Sequence, residues 1–307
     1  MKKELVFIRI VGILLLLVGL LSLFCVPAEF TSLYGFIDGG DFHFEGFGFG
    51  SLMFAFIVFS GMVYASLALV CIPLGIGTLQ LKRWGFTLSL AVLKAFLLLG
   101  LALTISLLFS FELWNNLEFS LTLTILLVVL LFFVALPFAL IRVYKHPSIE
   151  SLFHSSPKDP FENQHPDTLI IILLNLFWVF VLFLFVFFKG AFPFMGDFVF
   201  KKDGTYFLSM AIVALLVLSY FYYGNTSYAR VGMIAFYLIL FLTFAYTFVS
   251  VSTNEFIQML DLPMYELEKV VPAFRIPAGI NAGLFFGILL AMQTIVVLRS
   301  GKNRGSD

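Results

Sequence analysis

Thr168-Leu169-Ile170-Ile171-Ile172-Leu173-Leu174-Asn175-Leu176-Phe177-Trp178-Val179-Phe180-Val181-Leu182-Phe183-Leu184-Phe185-Val186-Phe187-Phe188 contains no charged residue. It is as long as the ~20 residues that a helix needs to cross a bilayer. A soluble core could hold one such helix. This chain has many: 61% of its 307 residues are hydrophobic, 12% are charged, and the mean hydropathy is +1.06. A soluble domain carries roughly 25% charged residues. Even a large domain buries only about three quarters of the surface its unfolded chain exposes. Lipid is therefore the solvent for the remainder, and the 41 phenylalanines suit lipid-facing and helix-packing positions.

Outward from that stretch, apolar segments at about 5–26, 52–79, 85–110, 120–141, 168–188, 206–223, 231–252 and 278–298 qualify as spans. The expected fold is an all-α integral membrane protein of about eight transmembrane helices. The first span follows Met1-Lys2-Lys3, is interrupted by Arg9, and is longer than the 7–15 apolar residues of a secretory signal, so it reads as a retained helix. Cys25 and Cys71 fall at different depths of the first two spans and read as separate buried thiols.

Basic residues set the orientation. With an even number of spans, one side holds Lys2, Lys3, Arg9, Lys82, Arg83, Arg142, Lys145, Lys158, Arg230, Arg299, Lys302 and Arg304; the other holds Lys189, Lys201, Lys202, Lys269 and Arg275. Both termini are expected to be cytoplasmic, in a cell (inner) membrane. Zero net charge and the absence of a basic stripe argue against a nucleic-acid partner. The expected partners are the lipid bilayer and other membrane proteins.

Residues 143–166 hold Pro147, Pro157, Pro160 and Pro166 among polar residues and read as a cytoplasmic linker between halves 1–142 and 167–307. The halves resemble each other. Gly40-Asp41-Phe42-His43-Phe44 parallels Gly196-Asp197-Phe198-Val199-Phe200, and Arg83-Trp84-Gly85 parallels Arg230-Val231-Gly232. The pattern Glu112 to Glu118 parallels Glu255 to Asp261. Three matches in one order predict two parallel four-helix repeats, related by an axis along the membrane normal.

Three residues inside spans are the candidate ligand-binding groups: Lys94, Asn175 and Gln293. Lys94 lies eleven residues past Arg83, ~16 Å into the membrane at 1.5 Å per residue. No acidic residue falls within any expected span to pair with it. Such a residue is a functional candidate by default, and snorkelling toward headgroups is the plainer alternative. A water-filled cavity lined by Lys94, Asn175 or Gln293 would mark a transport path. On the outer side, Asp41, His43 and Glu45 would share one face of an extended segment and are weak metal-ligand candidates. A headgroup-facing loop of Phe42, Phe44, Phe47 and Phe49 is the alternative. His146, His154 and His165 lack zinc-site spacing, and the Gly-rich stretches lack the strand–helix context of a phosphate loop. No hydrolase or protease motif is present, and no cofactor is expected.

Gly77-Thr78-Leu79-Gln80-Leu81-Lys82-Arg83-Trp84-Gly85, followed two spans later by Arg142-Val143-Tyr144-Lys145-His146-Pro147-Ser148-Ile149-Glu150-Ser151-Leu152-Phe153, resembles small bacterial four-span membrane proteins of uncharacterised function. Those carry a Gly-x-Leu-x-Leu-x-x-Trp turn and a basic-Pro tail that ends in Phe. The resemblance covers spans two to four and implies topology, not activity. In the second half Val231 stands where the Trp would be. The sequence thus points to a non-catalytic accessory, anchoring or assembly component of a membrane complex. The alternative is a transporter or lipid/ion-handling protein with its site between the repeats.

Overall fold

A helix satisfies every backbone N–H and C=O within its own segment, which is why apolar segments of this length take that form in lipid. The computed structural model describes residues 2–36, 50–109, 119–153, 166–224, 226–262, 264, 266–270 and 282–303. Seven helices are long and apolar enough to cross a membrane: α1 (Lys2–Phe36), α2 (Leu52–Leu79), α3 (Arg83–Leu108), α4 (Phe119–Tyr144), α6 (Pro166–Phe187), α7 (Lys201–Tyr223) and α8 (Ser227–Ser250). Between them lie the short α5 (Pro147–Glu150) and a hairpin of β1 (Phe192–Phe194) and β2 (Asp197–Val199), and after them comes α9 (Thr253–Met259). The last helix, α10 (Ala282–Asn303), holds a shorter apolar stretch, Gly283–Arg299.

The first helix runs ten residues past its expected end, straight through Pro27. Proline removes one helical N–H and crowds the carbonyl four residues earlier, yet the helix continues nine residues beyond Pro27 to Phe36. Small residues bring α1 and α2 together antiparallel. A Cβ on Gly12 would lie 2.8 Å from the Leu79 side chain, and one on Gly75 would lie 2.9 Å from the Leu16 backbone nitrogen. Such positions let helix backbones approach closely in lipid. Cys71 is buried opposite Gly19, six residues before Cys25 on α1, and both thiols are free.

At the α2–α3 turn, Gly77 faces Gly85: a Cβ on Gly85 would sit 2.6 Å from the Gly77 carbonyl carbon. The tail of the four-span motif closes over this turn. Tyr144, Ile149 and Phe153 pack with Phe86, Leu90 and Ile8 in one buried cluster, so residues 147–153 of the Pro-rich segment are docked on α3.

In each half, consecutive long helices are neighbours: α1–α2–α3–α4 and α6–α7–α8–α10. The halves meet mainly through α3, which packs on both α6 and α10, with α2 also touching α6. A two-fold arrangement would place α8 against α1 and α4 in return, and those pairs make no comparable contact among the described residues. The docking is one-sided. The larger core lies in the second half, around Leu174, Trp178, Leu182, Tyr237 and Phe244, and takes in Ala91, Ala95 and Ala102 of α3.

The hairpin pairs Phe192 with Val199 and Phe194 with Asp197 around a turn of Met195 and Gly196, at φ 50° and 93°. Positive φ at both central residues matches the twist of a two-residue hairpin. Phe192 and Phe194 stack on Phe207, and Gly196 N–H donates to Thr247 Oγ1 at 3.1 Å. The hairpin therefore lies against the N-terminal end of α7 and the C-terminal end of α8.

Candidate functional site

The polar groups inside the membrane converge on α6. This helix is the most enclosed of the seven, with Leu169, Ile170, Ile171, Leu174, Trp178 and Leu182 all buried. Three of its polar residues each reach a different neighbour.

Asp167, in its first turn, forms an ion pair with Lys94 of α3 at 3.7 Å. The sequence left Lys94 without an acidic partner in any span. That expectation is corrected: Asp167 lies one residue before the expected start of the fifth span, inside the helix, and the flexible lysine stem reaches toward it. The separation and the partial exposure of both side chains, 28% and 23%, put the pair near the modest end of ion-pair strengths. A double-mutant cycle of Lys94→Leu and Asp167→Asn is expected to give a coupling of about 0.5–1 kcal/mol in thermal unfolding. Strictly additive losses would remove the pair from the account.

Asn175, two turns deeper, is 1% exposed. Its amide nitrogen donates to Ser219 Oγ of α7 at 2.9 Å and contacts Met233 Sδ of α8 at 3.3 Å. Its carbonyl oxygen accepts from the Tyr237 hydroxyl of α8. Ser219 itself donates to the Leu215 carbonyl. One asparagine thus ties three helices, and every bond stays inside the second half.

Gln293 of α10 is fully buried and accepts from Trp178 Nε1 at 2.6 Å. The Trp178 ring is boxed by Phe244 and Phe286 at centroid distances of 5.9 and 5.2 Å. Gln293 Nε2 has no partner among the described residues.

Lys94, Asn175 and Gln293 are therefore distributed around α6 and do not form a single site. The sequence showed these three but not Asp167, Ser219, Trp178 or Tyr237, which complete their bonds. One signal was available: Trp178 follows Asn175 by three residues, which puts both on adjoining faces of one helix. Two hollows among the described residues lie elsewhere. One, apolar and of about 110 Å³, is lined by Ala55, Phe56, Phe59, Leu184 and Phe188. The other, of about 360 Å³, lies on the side of Arg83 and Lys145.

Asp41, His43 and Glu45 lie outside the described residues. Among the described residues no group of three His, Cys, Asp or Glu could hold a metal ion. A separate polar feature is a clasp between the halves. Glu266, 3% exposed, accepts the N–H groups of Leu52 at 2.8 Å and Met53 at 2.9 Å. Beside it, Lys189 donates to the Asp261 carbonyl at 2.7 Å. Ser252 and Glu255 form a capping box at the start of α9, and the Ser252 N–H and hydroxyl hold the Glu255 carboxyl below its usual pKa. No protein-family description, characterised protein or solved structure matches the chain.

Proposed function

We propose that this chain is a non-catalytic component of a membrane complex, an accessory, anchoring or assembly subunit, with eight spans and cytoplasmic termini in a cell membrane. The observation that carries this reading is that each candidate group in the spans is engaged by another helix of the same chain, Gln293 through its carbonyl oxygen alone. Lys94 goes to Asp167, Asn175 to Ser219 and Tyr237, and Gln293 to Trp178. A transport path needs such groups facing water or cargo; here they hold helices together, as polar side chains in lipid commonly do.

The eight spans read as two repeats that share helix order and dock unequally. The Arg-x-Gly matches support the repeat: Gly85 and Gly232 both sit in the third helix of their half, and each faces the helix before it, Gly77 in one case and Leu218 in the other. The kinship with small four-span membrane proteins fits the same plan.

Water accessibility separates this reading from a transporter with a site between the repeats. In a background lacking Cys25 and Cys71, single cysteines at Asn175 and Gln293 are expected to resist a membrane-impermeant thiol reagent from either side. Cysteine at Met195 should react from outside, and cysteine at Ser148 only after permeabilisation. Reaction at 175 or 293 in the folded protein would favour the transporter, and reversal of the two surface positions would overturn the orientation.

A further inference from the structure

The two parts of the four-span motif meet at a cleft that the proposed function leaves unused. Arg83, Phe86, Thr87 and Leu90 line it from α3, Lys145 from just beyond α4, and Glu150 from α5, enclosing about 360 Å³. Arg83 is held on two sides. Its Nη2 donates to Glu150 Oε1 at 2.8 Å, and its guanidinium carbon lies 4.9 Å over the Phe86 ring. An arginine fixed in this way presents its remaining donors in a set direction, which is the geometry that suits phosphate oxygens. Lys145 is exposed and adds a second positive charge at the rim. Thr87 turns its hydroxyl back to the Arg83 carbonyl at 3.2 Å.

The wall of the cleft changes character with depth. From Arg83 to Leu90 is seven residues of α3, ~10 Å along the helix, and over that distance the lining passes from charged to apolar. A ligand that fits both ends carries an anion at one end and hydrocarbon at the other. The cleft lies on the side of the membrane that holds most of the chain's Lys and Arg, the side where anionic headgroups attract basic residues.

We propose that this cleft binds the phosphate of an anionic phospholipid, with Arg83 and Lys145 taking its oxygens and Phe86 and Leu90 bordering the start of the acyl chains. Glu150 orients Arg83 and also competes for it, so the site is tuned for release as well as capture. This site does not depend on the accessory reading, since accessory subunits and transporters alike can hold a lipid. Its failure would leave that reading standing.

The test is thermal unfolding of the full chain in neutral detergent, titrated separately with short-chain phosphatidylglycerol, phosphatidylcholine and inorganic phosphate. A ligand that binds only the folded form raises Tm. Phosphatidylglycerol is expected to raise Tm, and the other two to leave it nearly unchanged. In Lys145→Gln the half-saturating lipid concentration should rise about fivefold. Glu150→Gln, which frees Arg83, should lower it or leave it unchanged. Arg142→Gln is the control: Arg142 is equally basic but lies over Phe138, outside the cleft. It should titrate as wild type. An equal rise with inorganic phosphate would keep the anion site and overturn its assignment to lipid. No rise specific to phosphatidylglycerol, or an equal loss in Arg142→Gln and Lys145→Gln, overturns the site.

Discussion

Gly100→Ala is expected to destabilise the protein by about 3 kcal/mol, the upper end of ordinary overpacking costs. The reason begins with Pro137 in α4. Proline has no N–H to offer the carbonyl four residues earlier, and its ring crowds that carbonyl. In α4 that carbonyl belongs to Phe133. The chain responds by winding wider: Leu130–Ala135 forms a π-helical turn, and Leu136 N–H bonds five residues back to Leu131. The widened turn pushes the Phe133 backbone toward α3, where it meets the residue with no side chain. A Cβ on Gly100 would lie 2.2 Å from the Phe133 oxygen and 2.7 Å from its carbonyl carbon. Backbone atoms cannot rotate away as a side chain can. One turn earlier, Phe96 stacks on the Phe133 ring at 5.0 Å and fixes the register of the contact.

Thermal unfolding in detergent measures the loss. The origin of the clash supplies a second readout. Pro137→Ala restores the missing N–H and allows an ordinary turn, which moves the carbonyl back. The double variant should therefore lose less than the sum of the two single variants. A Gly100→Ala protein as stable as wild type would mean that α3 and α4 are not this close. Gly232→Ala makes a useful contrast. Its Cβ would meet only the tip of the Leu218 side chain, at 2.7 Å, which can turn aside, so its cost should be much smaller.

The sequence displays the spans more readily than their neighbours, and the physics of lipid explains this. Hydropathy is a property of a segment by itself, so stretches such as 168–188 announce a helix directly. Lateral packing leaves a weaker trace, because lipid tails are as apolar as a packed leucine. On α6, Leu174 is fully buried and Leu176 is 51% exposed, yet the two residues are chemically identical. Only residues that lipid tolerates poorly mark a contact face. Gly77 and Gly85 do so by size, and Asn175 and Gln293 by polarity. Lys94 was legible as a charge in the membrane, but its partner was hidden one residue outside an expected span boundary. The end of α1 was misplaced because the apolar run ends at Val26, whereas the helix continues through Pro27 to Phe36. Glu266 carried no visible signal. It stands among several acids of an outer loop, and only the folded chain shows that this one reaches across to α2.

Glu266→Ala is expected to cost about 3 kcal/mol and to loosen the N-terminal end of α2 first. A helix start leaves its first N–H groups without partners and carries a partial positive charge. At α2 the Ser51 hydroxyl accepts from Phe54 N–H at 3.2 Å. Leu52 and Met53 are served by the two carboxylate oxygens of Glu266, which comes from more than two hundred residues later in the chain. Removing the carboxylate strands both donors near the membrane interface, where buried N–H groups without partners cost about 1–3 kcal/mol each. Glu266→Gln keeps one acceptor oxygen and loses the charge, so it should lose roughly half as much. The clasp also joins the halves, and that predicts where the damage appears. A single cysteine at Ser51 should react faster with a thiol reagent from outside in Glu266→Ala than in wild type. One at Ser148, on the opposite side, should be unchanged. If labelling at position 51 stays at the wild-type rate while Tm falls, Glu266 stabilises only its own loop, and the halves are held together by the contacts of α3 with α6 and α10 and of α2 with α6.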